Sequence, residues 1–328
     1  MVDSSIPRAL FEILAGYAAL VPPSSIGYPK QISPLQIHDF CLQYILLNPH
    51  FQQYPPSKQY QRSFWKWIVQ NLEKTLVDED AEIDPRIYDY YLSLMPSSGP
   101  ALGPPQPHIL PQLCPGGLPK LGPPSESYLT YFWATQSESS EFTNNEVILS
   151  KCRTATLRES RTLIEGGTTG LRTWLASFVL AQYLIDHPGL LLGKTTLELG
   201  SGVGFLGIVI SSLQALSDSN LSLPNSRIWL TDVNETVLKR CSDNIKLPSN
   251  LSSTHPNIHH QLLDWSAALD PSIRPGLSSF LSTDVNPDLI LGADIVFDPN
   301  LIPSLIATIH LALTSTSTHT TSSPPHSY

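Results

Sequence analysis

A chain of 328 residues, 41% hydrophobic and only 14% charged, is long enough to bury a sizeable core and to divide into two domains. Its net charge of −9 argues against a nucleic-acid partner. No run of 18 or more apolar residues occurs, which argues against a membrane span.

Residues 1–95 read as a helical domain. Apolar residues fall at helical spacing from Ile6 to Leu20, and Pro34 opens a second helix running to about Leu47. A third, Ser57 to Val77, carries the stripe Phe64, Trp65, Ile68, Leu72 and Leu76. Asp84-Pro85 reads as an N-cap and first turn, followed by Ile87, Tyr90, Tyr91 and Leu94. Residues 96–125, rich in Pro and Gly, read as a linker or mobile loop. Segments 127–135 and 145–151 have strand character and are expected to pair as a hairpin. Thr168-Thr169-Gly170 precedes an amphipathic helix from Leu171 to Ile185.

From there strands and helices alternate. Strands 195–199, 227–231, 258–264 and 287–293 are interleaved with helices 204–216, 234–246 and 300–312. This pattern predicts an α/β domain over 126–312 with a doubly wound, mostly parallel, Rossmann-like sheet and a ligand beyond the carboxyl ends of its strands. Residues 313–328, rich in Ser, Thr, His and Pro, read as a disordered tail. Part 195–328 holds eleven Asp and Glu against five Lys and Arg, an acidic balance compatible with a basic protein partner or with plain solvation. Cys41, Cys114, Cys152 and Cys241 lack CxxC spacing and read as free thiols of a reducing, cytoplasmic compartment. With the histidines also scattered, no metal site is expected. The first residues lack the basic-then-apolar pattern of a secretory signal.

The stretch Thr196-Leu197-Glu198-Leu199-Gly200-Ser201-Gly202-Val203-Gly204 is the most informative. A short strand ends in an acidic residue and three alternate glycines, and an apolar helix follows, the first half of a nucleotide-binding unit. Gly202, Gly204 and Gly207 also satisfy a dinucleotide fingerprint, and a plain strand–turn–helix satisfies the same residues. The other strand ends discriminate. Asp232 ends the second strand, where a carboxylate can accept both ribose hydroxyls of an adenosine; its alternative is to cap the next helix. Asp264-Trp265 ends the third: a carboxylate for an adenine amino group and an indole to pack along the ring. Gly292-Ala293-Asp294-Ile295-Val296-Phe297 ends the fourth: a small residue beside the ligand, a carboxylate at the reacting centre and an aromatic wall. A dinucleotide enzyme explains Asp232 but neither Asp264-Trp265 nor the last segment.

On these residues the chain resembles the seven-strand class I methyltransferases, in particular their protein-lysine branch. Gly167-Thr168-Thr169-Gly170-Leu171-Arg172-Thr173-Trp174, ahead of the glycine motif, is similar to the elongation factor 2 lysine methyltransferase family, as is the helical segment around Asn48-Pro49 and Pro55 to Tyr60. The resemblance covers about residues 40 to 312. It implies S-adenosylmethionine as cofactor, contacted at Trp174, Gly200, Ser201, Gly202, Trp265 and Ala293, with Asp232 at the class's ribose position; Glu198 and Gly204 of the glycine motif and Asp264 complete the expected cofactor site. It implies a protein substrate, elongation factor 2, methylated at a lysine by a monomeric enzyme. Asp294 would orient the amine and help its proton depart; Phe297 would wall the lysine stem; the N-terminal helices would clamp the substrate. Two departures are visible. Leu175 stands where the family usually has an acidic residue after the Trp, and nothing after 312 reads as the family's last three strands. The second departure gives a rival expectation, an inactive fragment or a non-enzymatic binding module with a bare edge on its fourth strand. A dinucleotide oxidoreductase is the remaining alternative.

Overall fold

The computed structural model describes residues 5–76, 81–95, 126–218 and 226–316. The chain forms two compact units, Ala9–Ser127 on one side and Tyr128–Tyr328 together with Met1–Arg8 on the other. The expected linker, 96–125, and most of the expected tail lie outside the described residues; its first residues, 313–316, are still helical.

A short strand, β1 (Ser5–Pro7), precedes the helical unit, so Ile6 belongs to a strand and α1 begins only at Arg8 and runs to Ala18. The shift follows from Pro7, which disfavours helical geometry at Ile6, the residue before it. In this unit follow α2 (Pro34–Phe40), prolonged by a π-helical turn over Cys41–Leu46, α3 (Pro49–Gln53), α4 (Lys58–Thr75) and α5 (Pro85–Ser93). Ser33, Asn48, Ser57 and Asp84 cap their helices, each side chain accepting a backbone N–H of the first turn. The apolar stripe Phe64, Trp65, Ile68, Leu72 of α4 is fully buried, packed with Tyr17 and Tyr90.

In the second unit β2 (Glu126–Trp133) is followed by the single turn α6 (Gln136–Ser139), then by β3 (Glu146–Ile148) and β4 (Arg153–Ser160). The expected hairpin does not form. β2 pairs with β4, and β3 pairs antiparallel with β1, Ile6 opposite Val147. Thr135 is the reason: with Glu138 it makes a capping box that turns the chain helical directly after β2. Strand β4 was not foreseen. Its backbone at Thr156 and Arg158 is held by side chains distant in sequence: Asn250 accepts from Thr156 N at 2.7 Å, and Asn244 accepts from Arg158 N at 2.8 Å.

The central sheet is parallel, with order β7-β6-β5-β8 for β5 (Thr195–Leu199), β6 (Arg227–Asp232), β7 (Ile258–Leu262) and β8 (Leu289–Gly292). Between β4 and β5 runs α7 (Leu175–Asp186); α8 (Phe205–Asp218) follows β5 and α9 (Glu235–Ile245) follows β6. α10 (Arg274–Ser279) follows β7 and continues as a π-helical turn to Val285, and α11 (Ile302–Thr316) follows β8. One face of the sheet, with Ile228 and Leu230, packs on Val209 and Leu213 of α8 and Val237 of α9. The other, with Leu197 and Leu199, packs on Leu277, Leu281, Leu305 and Leu311. Both faces are covered, as a parallel sheet requires. β8 pairs with β5 alone among the described residues, and its Leu289, Ile290 and Leu291 are half-buried. No described helix is long and apolar enough to cross a membrane.

Candidate functional site

The strand order reverses between β5 and β8, and there the carboxyl ends open into a cavity of about 340 Å³. The loop after β5 forms its floor. Gly200 and Gly202 have φ of +67° and +54°, and a Cβ on Gly200 would lie 2.9 Å from Ile295 Cγ2. The loop is stitched to β6. Ser201 N donates to Thr231 O (2.8 Å), and Thr231 N donates to Ser201 Oγ (3.0 Å). Asp232, the last residue of β6, accepts from Gly202 N at 3.2 Å on one oxygen and from Asn234 N at 3.0 Å on the other. Burial pushes its carboxyl pKa up, while these N–H donors pull it down.

The remaining walls come from three segments. After β7, Asp264 is exposed and accepts from Ser266 N at 2.8 Å, while Trp265 is half-buried against the cavity. After β8 come Ala293, Asp294, Ile295 and Phe297. Asp294 is exposed and holds φ of +59°, a conformation that Asp tolerates better than most residues, and Phe297 is 64% exposed at the mouth. The fourth wall is Thr168–Trp174. Glu165 and Thr168 exchange backbone hydrogen bonds at 3.1 Å, Gly170 N donates to Thr168 Oγ1 at 3.0 Å, and Trp174 Nε1 donates to Thr169 O at 3.1 Å. Thr173 gives both its N–H and its hydroxyl to Glu159 of β4, whose carboxyl pKa burial pushes up. Leu171 and Arg172 form a turn, Thr173 is tied to Glu159 and Trp174 is extended, so α7 starts at Leu175 and not at Leu171.

The cavity thus brings together Trp174, Gly200, Ser201, Gly202, Asp232, Asp264, Trp265, Ala293, Asp294 and Phe297. Glu198 and Gly204 are not among its walls. Glu198 is 2% exposed beneath the floor, on the α8 face of β5. Gly204, at φ +90°, lies against α9, where an added Cβ would sit 2.8 Å from Cys241 Sγ. Gly207 serves packing too, with Leu230 Cδ2 at 2.9 Å from a Cβ there. Sequence reasoning did not assign Thr168, Thr169, Gly170, Arg172, Thr173 and Ser177, all wall residues. For all but Ser177 the signal was the segment Gly167–Trp174 itself, of which Trp174 alone was given a role. Three carboxylates, Asp232, Asp264 and Asp294, face the cavity with one guanidinium, Arg172, a balance suited to a cationic substrate group. No cluster able to hold a metal ion occurs among the described residues.

Fold and site together define a Rossmann-like, doubly wound domain with its ligand crevice at the switch point. The chain belongs to the lysine methyltransferase family, whose model matches residues 157–323, about half of it. It is similar to protein-lysine N-methyltransferase EFM3 of Chaetomium thermophilum, 36% identical over 155 residues, which are 47% of this chain and 42% of the relative. It is also similar to protein-lysine N-methyltransferase EEF2KMT of Homo sapiens, 32% identical over 154 residues (47% and 43%), and of Bos taurus, 28% identical over 204 residues (57% and 55%). The matched stretch spans about half the length of these relatives.

Proposed function

We propose that the chain transfers a methyl group from S-adenosylmethionine to a lysine ε-amine of a protein, elongation factor 2. The observation that carries the reading is the convergence of Asp232, Trp265 and the side-chain-free backbone of Gly200 and Gly202 on one cavity. These residues fit the cofactor. Both Asp232 oxygens are oriented by backbone N–H groups and keep lone pairs for ribose hydroxyls, the indole of Trp265 offers a flat wall for adenine, and glycine lets the backbone approach closely. Trp174, its N–H already given to Thr169, presents its ring rather than a donor.

When bound, S-adenosylmethionine supplies a methyl group made electrophilic by its sulfonium. The chain's residues then have two tasks. The first is to desolvate and align a lysine. The acidic lining draws the ammonium in, and Phe297 packs along its methylene stem. The second is to manage its proton. A lysine with pKa near 10.4 must lose its proton to attack, which at pH 7 costs about 5 kcal/mol. Asp294, at the wall yet open to solvent, would accept an N–H of the amine, aim its lone pair, and pass the lost proton to water. The substrate assignment is supported by the EEF2KMT relatives.

The test is calorimetric titration of the purified chain with S-adenosylmethionine and with NAD, then methyl transfer to elongation factor 2 read by mass spectrometry. Binding of the first ligand alone, with a mass gain on a lysine, is expected. Binding of NAD instead would return the cavity to a dinucleotide enzyme. Binding without transfer would remove elongation factor 2 as the substrate.

A further inference from the structure

Glu198 is a buried carboxyl that this chemistry leaves unused. It lies in β5, 2% exposed, and its Oε2 has no hydrogen-bond partner among the described residues. That oxygen packs on α8, 3.4 Å from where a Cβ on Gly207 would stand. Beside the carboxyl stands the Ser201 hydroxyl, which accepts from Thr231 N at 3.0 Å and pulls the Glu198 pKa down against burial. Thr231 in turn donates its Oγ1–H to Glu198 O at 2.7 Å and is followed by Asp232, the carboxylate that Gly202 N–H reaches. Glu198 is thus the buried end of the clasp holding the cavity floor to the end of β6. Among the described residues the titratable groups that face it are Asp232 on β6 and Cys241 on α9, with no cation.

We propose that Glu198 is a positioning residue whose protonation state sets the affinity of the cavity for its nucleoside ligand. Uncharged, it is tolerated beneath the floor and keeps Ser201 and the glycine loop in place. Ionised, it is an unpaired charge in an apolar pocket beside Asp232, and relief requires the loop to move. Burial pushes its pKa up to about 8, and the Asp232 charge pushes in the same direction. Burial also pushes the Cys241 thiol well up, so it stays neutral while Glu198 titrates. If only the form with neutral Glu198 binds, affinity weakens about tenfold between pH 7 and pH 9.

The inference rests on the S-adenosylmethionine reading, and its test separates the two. Kd for S-adenosylmethionine is measured by calorimetry from pH 6 to pH 9.5 for the full chain and for Glu198→Gln, a neutral isostere. The wild type should weaken through pH 8, and the Gln chain should bind with the same affinity at pH 6 and pH 9. Parallel profiles would overturn the proposal. Absence of binding in both chains at every pH would refute the cofactor reading. Thermal unfolding without ligand then decides on Glu198 itself. Its folded pKa is above its unfolded one, so its contribution is full below about 4.5 and is lost as pH rises through about 8. The wild-type midpoint should fall across pH 6–9 more steeply than that of Glu198→Gln; equal slopes would overturn the proposal.

Discussion

Gly204→Ala separates a glycine that meets the ligand from one that holds the loop. Gly204 has φ of +90°, and an added Cβ would lie 2.8 Å from Cys241 Sγ, 3.4 Å from its Cα and 3.5 Å from its carbonyl oxygen. Cys241 is fully buried on α9, so its sulfur has nowhere to rotate without disturbing the core around Val237 and Ile245. Two costs follow. Positive φ for an L-residue costs about 1–2 kcal/mol. Forcing a methyl into a packed contact costs about 1–3 kcal/mol more. A total loss of about 2–5 kcal/mol is expected, read as a lower urea midpoint by far-UV circular dichroism. Cys241→Ala removes the clashing sulfur while leaving the backbone strain. In a double-mutant cycle Gly204→Ala and Cys241→Ala should therefore couple favourably by about 1–3 kcal/mol. S-adenosylmethionine affinity of the folded Gly204→Ala protein should stay close to wild type, because Gly204 is not a wall of the cavity. A loss below 1 kcal/mol, or intact stability with lost affinity, would refute this reasoning and return Gly204 to the ligand.

Asp232→Ala removes the acceptor at the end of β6 and should weaken S-adenosylmethionine binding by about 1.5–3 kcal/mol; unchanged affinity by calorimetry would take Asp232 out of the site. Trp265→Ala should weaken the same Kd more than Asp294→Ala does, whereas Asp294→Ala should lower kcat on elongation factor 2 with binding nearly intact; full turnover of the Asp294 variant would end its catalytic assignment. Asn244→Ala removes three hydrogen bonds, those with Arg158 N, Arg158 O and Val203 O, and should cost on the order of 3 kcal/mol in denaturant unfolding, while a loss under 1 kcal/mol would mean β4 is held by its pairing alone.

The parallel sheet was legible because its signals are local. β5, β6 and β8 are short, largely apolar runs, each stopped by a polar or glycine residue at its carboxyl end; β5 coincides with the expected 195–199, and the other three strands end within two residues of expectation, β7 at Leu262, with the 264–265 pair forming a capped turn. The cap residue Asp84 was legible for the same reason, since it acts on backbone two residues away, whereas Ser57 and Asn234, read as the first residues of their helices, are their caps. The strands outside the central sheet were not. β1 finds its partner near residue 147, and β4 finds its own in β2 while the backbone of its Thr156 and Arg158 is bonded by Asn250 and Asn244, all far away in sequence.

The nine-residue segment 196–204 shows how far a motif can be read. Its residues sit at alternate positions, and chemistry alone makes each glycine and the glutamate a candidate for the ligand. The pleat sends Leu197 and Leu199 to one face of the sheet and Glu198 to the α8 face, which takes the carboxylate away from the crevice at the strand end. Past the strand, Gly200 and Gly202 take positive φ along the cavity floor, whereas Gly204 takes it where the chain enters α8 and meets Cys241 of α9. Spacing records that small or flexible residues are required at these positions. What each position faces depends on α9, which lies across β6, and on Trp265 and Ile295 after β7 and β8, none of which the segment encodes. A ligand contact and a packing contact therefore leave the same mark in the motif. They differ only in the neighbour that a Cβ would meet, Ile295 and Trp265 at the cavity wall for Gly200 and a helix core for Gly204.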